Sequence, residues 1–401
     1  MSEPTTPAAA AGWRYPDDEP GRDLRIDFLR GVVLAVLLIA HFEYFSLFSL
    51  LAWERVGLIT GAEGFVLLSG FVLGMIHRRT LADKGWHVSV GKLLQRAAQL
   101  YRVHTFIILS IGLLMLVPFI DTSAVTTFVD RAAAKAYPLY PPVGADSLPL
   151  WLAKAFTLQM GPHQVQILGL YVVLMALSPF ALFLLHHGWT RWLLGLSWVL
   201  YFFNVATPSM PTHAQFEYAF PLLTWQLIYF HGMAAGYHRD RLLAFFQGRW
   251  GKPVLGLAVV VFLACLFLAQ NATNPFLPAW AHLSLVPPDT FNTWYALYFQ
   301  KNTLGLGRLL NYAAALVVAY GLLTVAWKPL NRALGWYFVP IGQATLYVFI
   351  VHVYLVLLVT QVAKMGLAPV HILAHTALHA ALLAIVWLMV RYKVLYRWIP
   401  R

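Results

Sequence analysis

Residues 28–50, FLRGVVLAVLLIAHFEYFSLFSL, form a long and mainly apolar run. It holds 23 residues, and a helix needs about 20 mainly apolar residues to cross the core of a bilayer. Its side chains that titrate or carry charge near neutral pH are Arg30, His41 and Glu43. The stretch therefore predicts a membrane-spanning helix that carries polar groups within it.

Nine further runs along the chain share the apolar character of residues 28–50. The chain is 60% hydrophobic and 11% charged, where a soluble domain has about a quarter of its residues charged. This composition excludes a soluble globular enzyme, a disordered protein and a secreted disulfide scaffold. The single cysteine, Cys265, excludes an intramolecular disulfide and a multi-cysteine metal site. We predict an all-α bundle of about ten transmembrane helices, at residues 28–50, 57–76, 102–119, 166–185, 191–206, 221–237, 253–270, 304–326, 340–361 and 370–391.

The placement of basic residues predicts the orientation of the bundle. The net charge is +12, and 21 of the 28 lysines and arginines lie on one side if the N-terminus is cytoplasmic. Cytoplasmic loops of membrane proteins carry this excess, so we predict an N-in, C-in topology and no nucleic-acid partner. Residues 1–21 are predicted to be a disordered cytoplasmic tail, residues 22–395 the membrane domain, and residues 396–401 a cytoplasmic C-terminal tail. The tail lacks the pattern of a cleavable signal peptide.

Two long loops, 120–165 and 271–303, are predicted on the outer side. Both are rich in proline and aromatic residues, including Trp280, Trp294 and Tyr295. Exposed aromatic rings suit a carbohydrate partner. An interfacial aromatic belt is the alternative interpretation.

The first two predicted helices contain ionisable residues at similar depth. His41 lies eleven positions after Arg30, roughly 16 Å along a helix, and Glu63 on the second helix reaches a comparable level. A carboxylate beside a buried imidazole raises its basicity, as a general base requires. We predict His41 as the catalytic residue, with Glu63 or Glu43 as its partner. A structural polar pair between helices is the alternative.

A basic cluster follows the second predicted helix. With Arg30, the candidates are Arg78, Arg79, Arg96 and Arg102. Such a cluster at a membrane face is predicted to bind the phosphates of a cofactor. A topology signal that also attracts anionic lipid is the alternative.

Further histidines lie in the last two predicted helices. His352 is near mid-depth, with Thr345 seven residues earlier on the same helix face, and is a second catalytic candidate. His371, His375 and His379 follow at a spacing of four residues. This stripe is interpreted as the lining of a hydrated outer cavity, with His163 at the same outer level. Zinc or haem binding is the alternative for the stripe, and no metal site is predicted.

Several motifs in order resemble the OpgC branch of the type-3 membrane acyltransferases. The arginine and histidine of residues 30–41 resemble an Arg-x10-His motif of that superfamily, and residues 62–71, AEGFVLLSGF, resemble its second helix. Residues 342–352, GQATLYVFIVH, resemble a late motif that ends in histidine. Arg96 and Arg102 depart from the pattern, since they stand six apart where the family has Arg-x-x-Arg. The segments that resemble the OpgC branch in particular are residues 25–31, 62–65, 167–171, 222–226 and 345–349.

The resemblance implies a ten-helix inner-membrane enzyme that modifies osmoregulated periplasmic glucans. Its co-substrate would be a cytoplasmic acyl-CoA, succinyl-CoA by the resemblance, with no permanently bound cofactor. A periplasmic glucan would accept the acyl group. A cation in the substrate tunnel would favour a succinyl over an acetyl donor, and Arg30 and Arg102 are the candidates.

Two other classes of function remain open on the sequence. One is a secondary transporter or glycan flippase in which buried ionisable residues relay protons. The other is a haem- or metal-binding redox protein built on the histidines of the last helix.

Overall fold

The computed structural model describes residues 22–42, 44–130, 135–272, 277–362 and 369–400. It is 75% helical, which confirms the predicted all-α class. Within these ranges five helices are long and apolar enough to cross a membrane, or six if one bent pair is counted as a span. The protein is thus a membrane protein, and the ten-span count and the orientation stay predictions. The helices are α1 Leu24–His41, α2 Gly61–Leu114, α3 Ser123–Thr126, α4 Leu148–Phe156, α5 Gln166–His186, α6 Thr190–Ala206, α7 Leu222–Tyr237, α8 Arg239–Gln247, α9 Gly251–Ala269, α10 Pro288–Trp294, α11 Leu306–Val325, α12 Trp327–Leu330, α13 Trp336–Gln343, α14 Thr345–Val362 and α15 Pro369–Arg391.

The first helix is shorter than its apolar run predicts. α1 ends at His41, and the chain continues into a short 3-10 helix, Leu47–Leu51. The turn in between bonds to α15, because His375 Nδ1 donates to the carbonyl of Phe45 at 2.9 Å. These contacts replace helical hydrogen bonds, so residues 28–50 are not one continuous helix.

Helix α2 is a hairpin with two legs, 61–84 and 86–114. Gly85 has φ 79° and ψ 179°, a backbone conformation that residues with a Cβ rarely adopt. His77 and Ser89 hydrogen-bond at 2.6 Å across this break, whereas twelve residues of straight helix would separate them by about 18 Å. The predicted second and third spans therefore continue as helices up to a sharp break at Gly85, and no loop covers residues 77–101.

The predicted run 340–361 is also broken. The segments Trp327–Gln343 and Thr345–Val359 meet at an angle of 89°. Pro340 lies just before the break and cannot donate a backbone hydrogen bond. The bend places Thr345 at the first turn of α14, next to α1.

Loop 120–165 contains regular structure that the sequence analysis did not predict. Strands β1 Thr127–Asp130 and β2 Lys135–Pro138 form an antiparallel pair. The segment before His163 is hydrogen-bonded to the end of this strand pair, since Gly161 N donates to the carbonyl of Leu139 at 3.3 Å. This folding carries the segment around His163 back toward the helical bundle.

The first leg of α2 packs directly on α7 through glycines. A Cβ added at Gly74 would lie 2.0 Å from the carbonyl oxygen of Met233, and one at Gly236 would lie 1.8 Å from that of Phe71. Gly70 on α2 and Gly232 on α7 lie one helical turn from these glycines, and an added Cβ at either would also lie within 2.3 Å of a carbonyl oxygen of the other helix. Small residues four apart allow close helix contact in membranes, so this seam fixes how the hairpin sits against α7.

Gly236→Ala is expected to lower the melting temperature of the purified protein, because the added methyl group forces the two helices apart. Overpacking of this kind costs about 1–3 kcal/mol. Gly195→Ala is the matched control, since nothing lies within 4 Å of a Cβ at that position on α6. Thermal unfolding in detergent measures both variants, and equal melting temperatures would contradict the close packing.

Candidate active site

Two histidines from distant parts of the chain meet in the interior. His41 Nδ1 and His352 Nε2 lie 2.9 Å apart, and their rings stack with centroids 5.1 Å apart. His352 is fully buried, and its Nδ1 lies 2.6 Å from the carbonyl oxygen of Phe349. The structure thus brings together two of the predicted catalytic residues.

The hydrogen bonds assign the protons on this pair. A carbonyl oxygen can only accept, so Nδ1 of neutral His352 carries the proton and its Nε2 accepts. His41 Nδ1–H then donates to His352 Nε2. The lone pair of His41 is left on Nε2, where it is available as a base or nucleophile.

A third histidine adjoins the pair. The rings of His41 and His163 meet edge to face at 6.2 Å. His163 begins the 3-10 turn His163–Val165 before α5, and Gln164 fixes this turn by donating to the carbonyl of Ala124 at 2.8 Å. The segment that ends at His163 therefore reaches the ring of His41.

Glu63 does not contact His41 as predicted. One of its carboxylate oxygens accepts from Arg308 at 2.5 Å, and the other accepts from Thr60 N and Oγ1 at 2.9 and 2.5 Å. Thr60 and Glu63 form a capping box at the start of α2. The predicted role of Glu63 as the partner of His41 is therefore wrong, and His352 occupies that position. Glu43 lies outside the described residues.

Arg308 is the centre of a buried ion network that the sequence analysis missed. It pairs with both Glu63 and Glu54, and Tyr295 donates to Glu54 at 3.2 Å. Arg308 is fully buried. The network joins α2, α11 and the segment around Tyr295, so its first role is structural.

Arg30 lies in the same interior track as His41. Its Nη2 donates to Thr345 Oγ1 at 2.7 Å, and its Nη1 lies 3.6 Å from Asp27. Eleven residues make about three helical turns, so Arg30 and His41 share one face of α1. Each contacts α14, through Thr345 and His352, and together they define a polar track along the two helices.

The other four arginines that were predicted to bind cofactor phosphates differ in how exposed they are. Arg96 is partly buried and donates to Gln99 at 2.5 Å. Arg78, Arg79 and Arg102 are exposed. Arg78 pairs with Asp240 at 3.0 Å. Only Arg30 and Arg96 of the five candidates therefore reach into the bundle.

Asp23 anchors the start of α1 at the basic end of the bundle. It accepts from Arg25 at 2.9 Å, from Arg239 at 2.6 Å and from Tyr320 at 3.0 Å. Burial works to raise the pKa of Asp23, but these hydrogen bonds outweigh it and lower the pKa. The carboxylate ties α1 to α8 and α11 and so sets the depth of Arg30.

The histidines of α15 do not have the surroundings that were predicted for them. His375 and His379 are buried and bond to the carbonyl of Phe45 and the hydroxyl of Ser46 at 2.9 and 2.7 Å. They pack the turn after α1, and the predicted hydrated lining is wrong for these two. Among the described residues no group of histidine, cysteine or acidic side chains could hold a metal ion.

A cavity of about 820 Å³ lies beside α1, lined by Val32, Ile39 and residues of α13 and α15. Val32 lies two positions after Arg30, and Ile39 lies two positions before His41. Two positions correspond to a rotation of about 200° around the helix axis. The cavity thus opens on the opposite face of α1 and is separate from the polar track.

Fold and site together define a helical membrane protein whose polar track ends at a pair of histidines, one buried and one partly exposed. Ionisable residues inside such bundles mark substrate pathways or proton relays. A family model described as OpgC protein matches residues 22–398, and the chain therefore belongs to the OpgC family, as the sequence motifs indicated. Membership indicates an acyltransferase related to osmoregulated periplasmic glucans. Searches of curated proteins and of solved structures returned no match.

Proposed function

We propose that the protein is a trans-membrane O-acyltransferase that moves a succinyl group from cytoplasmic acyl-CoA to hydroxyls of a periplasmic glucan. The observation that carries this proposal is the His41–His352 pair in the interior, with Arg30 on the same face of α1. The proposal includes ten spans with both termini inside the cell, in the bacterial inner membrane. Its partners are acyl-CoA, the glucan and the bilayer.

The polar track supplies a route for the donor. Arg30 and Arg96 lie toward the basic end, where most arginines and lysines gather. Guanidinium groups bind phosphate well, so Arg30, Arg96 and the surface residues Arg78, Arg79 and Arg102 would hold the nucleotide part of coenzyme A. The thioester would then reach His41 through its pantetheine arm.

The chemistry at His41 follows from its free Nε2. In direct transfer, Nε2 takes the proton of a glucan hydroxyl while the oxygen attacks the thioester carbonyl. The carbon–sulfur bond breaks, and the proton passes from His41 to the coenzyme A thiolate. In the other route, Nε2 attacks the thioester carbonyl, the carbon–sulfur bond breaks and coenzyme A leaves as its thiolate. A glucan hydroxyl then attacks the acyl group on His41, the bond to Nε2 breaks, and the hydroxyl proton passes to the coenzyme A thiolate. His352 orients His41 in both routes.

The alternative of a transporter or flippase is supported by the same buried pair, because adjoining imidazoles also suit a proton relay. That function predicts proton flux driven by substrate and no use of acyl-CoA. The two functions therefore differ in their products.

The test uses purified protein in detergent with labelled succinyl-CoA and a β-glucan. We expect succinyl esters on the glucan and release of one coenzyme A thiol for each ester, measured by mass spectrometry and thiol titration. Protein that transfers no acyl group from any acyl-CoA, yet carries protons when reconstituted, would favour the transporter instead.

A further inference from the structure

The cavity beside α1 takes no part in the proposed reaction, because it lies on the face of α1 opposite Arg30 and His41. Its walls come chiefly from α1, the start of α2, α13, α15 and the segment between α1 and α2 that contains the 3-10 helix Leu47–Leu51. With about 820 Å³, it is as large as the pockets that hold small organic ligands. Protein interiors are otherwise packed as closely as organic crystals, so a space of this size calls for an occupant.

The wall of the cavity is apolar over most of its area. Aliphatic side chains of α1 and α15 line much of it, among them Val32, Val36, Leu383 and Leu388. Such side chains offer an occupant van der Waals contacts and no hydrogen bonds. If the cavity stayed empty, the atoms of its wall would lose those contacts on one side.

Most of the polar side chains in the wall are bonded to other parts of the protein. Trp387 Nε1 donates to the carbonyl of Trp336 at 2.9 Å, and Glu54 pairs with Arg308. Arg55 donates to three backbone carbonyls, and its Nε is buried. A water molecule in a cavity needs about two to four polar partners, which a wall so poor in free polar atoms does not supply. The occupant is therefore apolar.

The cavity has a buried floor and an exposed rim. The floor includes Ala35, Ile39 and Ala52, which are 6%, 4% and 2% exposed. The rim includes Leu51 and Leu388, which are 55% and 42% exposed. Because α15 is one of the helices long and apolar enough to cross a membrane, its exposed side faces the hydrocarbon of the bilayer. The rim thus connects the bilayer with the buried floor at α1.

We propose that this cavity holds one acyl chain of a membrane phospholipid, which enters from the bilayer between α15 and the segment after α1. Gly61 and Gly64 on α2 and Ala380 and Ala384 on α15 line the cavity, and their small size leaves room for a chain. Association between apolar surfaces in a bilayer depends on close packing, and a flexible acyl chain packs well in an irregular slot. The chain would support α1 from the side opposite His41.

The test uses the protein in nanodiscs of phosphatidylethanolamine and phosphatidylglycerol, in which a small share of the lipid carries a diazirine on its acyl chain. Illumination links the chain to its neighbours, and mass spectrometry of peptides locates the link. We expect label at the floor residues Ala35 and Ile39, which are buried from lipid outside the cavity. Label at Val260 on α9, which is 64% exposed, reports that the surrounding lipid has reacted.

Ala384→Phe places a bulky ring at an exposed position of the rim. It should remove most of the label from the floor and leave the label at Val260 unchanged. Ile385→Phe is the matched control, because Ile385 is the next residue of α15, is 41% exposed and does not line the cavity. It should leave both labels as in the native protein.

Two results would overturn the proposal. One is native protein that is labelled at Val260 and not at the floor, since the cavity would then hold no acyl chain. The other is label at the floor that is equally strong in Ala384→Phe and Ile385→Phe, since the chain would then not enter past the rim. Both readouts are independent of acyl transfer.

Discussion

His41→Ala is expected to abolish measurable acyl transfer while leaving the protein folded. Removing a general base lowers rates by about 10²–10⁴-fold, and removing a nucleophile leaves no route for an acyl-histidine intermediate. His352→Phe should produce a smaller loss in kcat, because His41 remains but loses the acceptor that holds its Nδ1–H. The measurement is the rate of ester formation on a β-glucan by purified protein.

His231→Ala is the matched control for His41→Ala. His231 lies on α7, where its Nδ1 donates to the carbonyl of Leu227 at 2.8 Å and its ring contacts Trp198. It is a histidine of the same bundle outside the polar track. Activity that survives in His41→Ala, or that falls as far in His231→Ala, would remove His41 from the chemistry.

Arg308→Met is expected to destabilise the protein more than Gly236→Ala does. The substitution leaves Glu54 and Glu63 close together without their shared cation. Removing one partner of a buried ion pair costs about 3–5 kcal/mol. Unfolding of the purified protein in mixed detergent measures the loss, and a second change, Glu63→Gln, should restore part of it by removing one of the two negative charges.

The control for this prediction is Arg78→Met. Arg78 pairs with Asp240, and both side chains are largely exposed, so the pair should contribute no more than about 1 kcal/mol. Similar losses in Arg308→Met and Arg78→Met would mean that the buried network does not hold the outer segment to α2.

The sequence identified His41 and His352 as site candidates but did not predict that they contact each other. Residue counts along a helix place His41 and Glu63 at similar levels, but the direction of each side chain depends on how helices pack. The contact between His41 and His352 joins residues 311 positions apart. No local pattern in the sequence could predict that α14 and not α2 faces His41.

Some missed features did have local signals. Thr60-x-x-Glu63 matches a capping box, which predicts that Glu63 is engaged at the start of its own helix. Gly70 and Gly74, with Gly232 and Gly236, match the spacing of small residues in close helix pairs.

The family motifs and the structure agree most closely at residues 342–352. The sequence placed His352 near mid-depth and Thr345 on the same helix face, and in the structure both contact α1 along the polar track. The bend before Thr345 was not predicted, since a proline in an apolar run is compatible with either a straight or a broken span.

Transfer across a sealed membrane is the most direct test of the proposed reaction. Proteoliposomes would hold β-glucan in the lumen, labelled succinyl-CoA would be added outside, and molecules with their basic end outward would be the active ones. We predict labelled glucan inside the vesicles with the native protein and none with His41→Ala. Label that appears only when donor and glucan share one side would contradict a transfer that passes through the interior at His41.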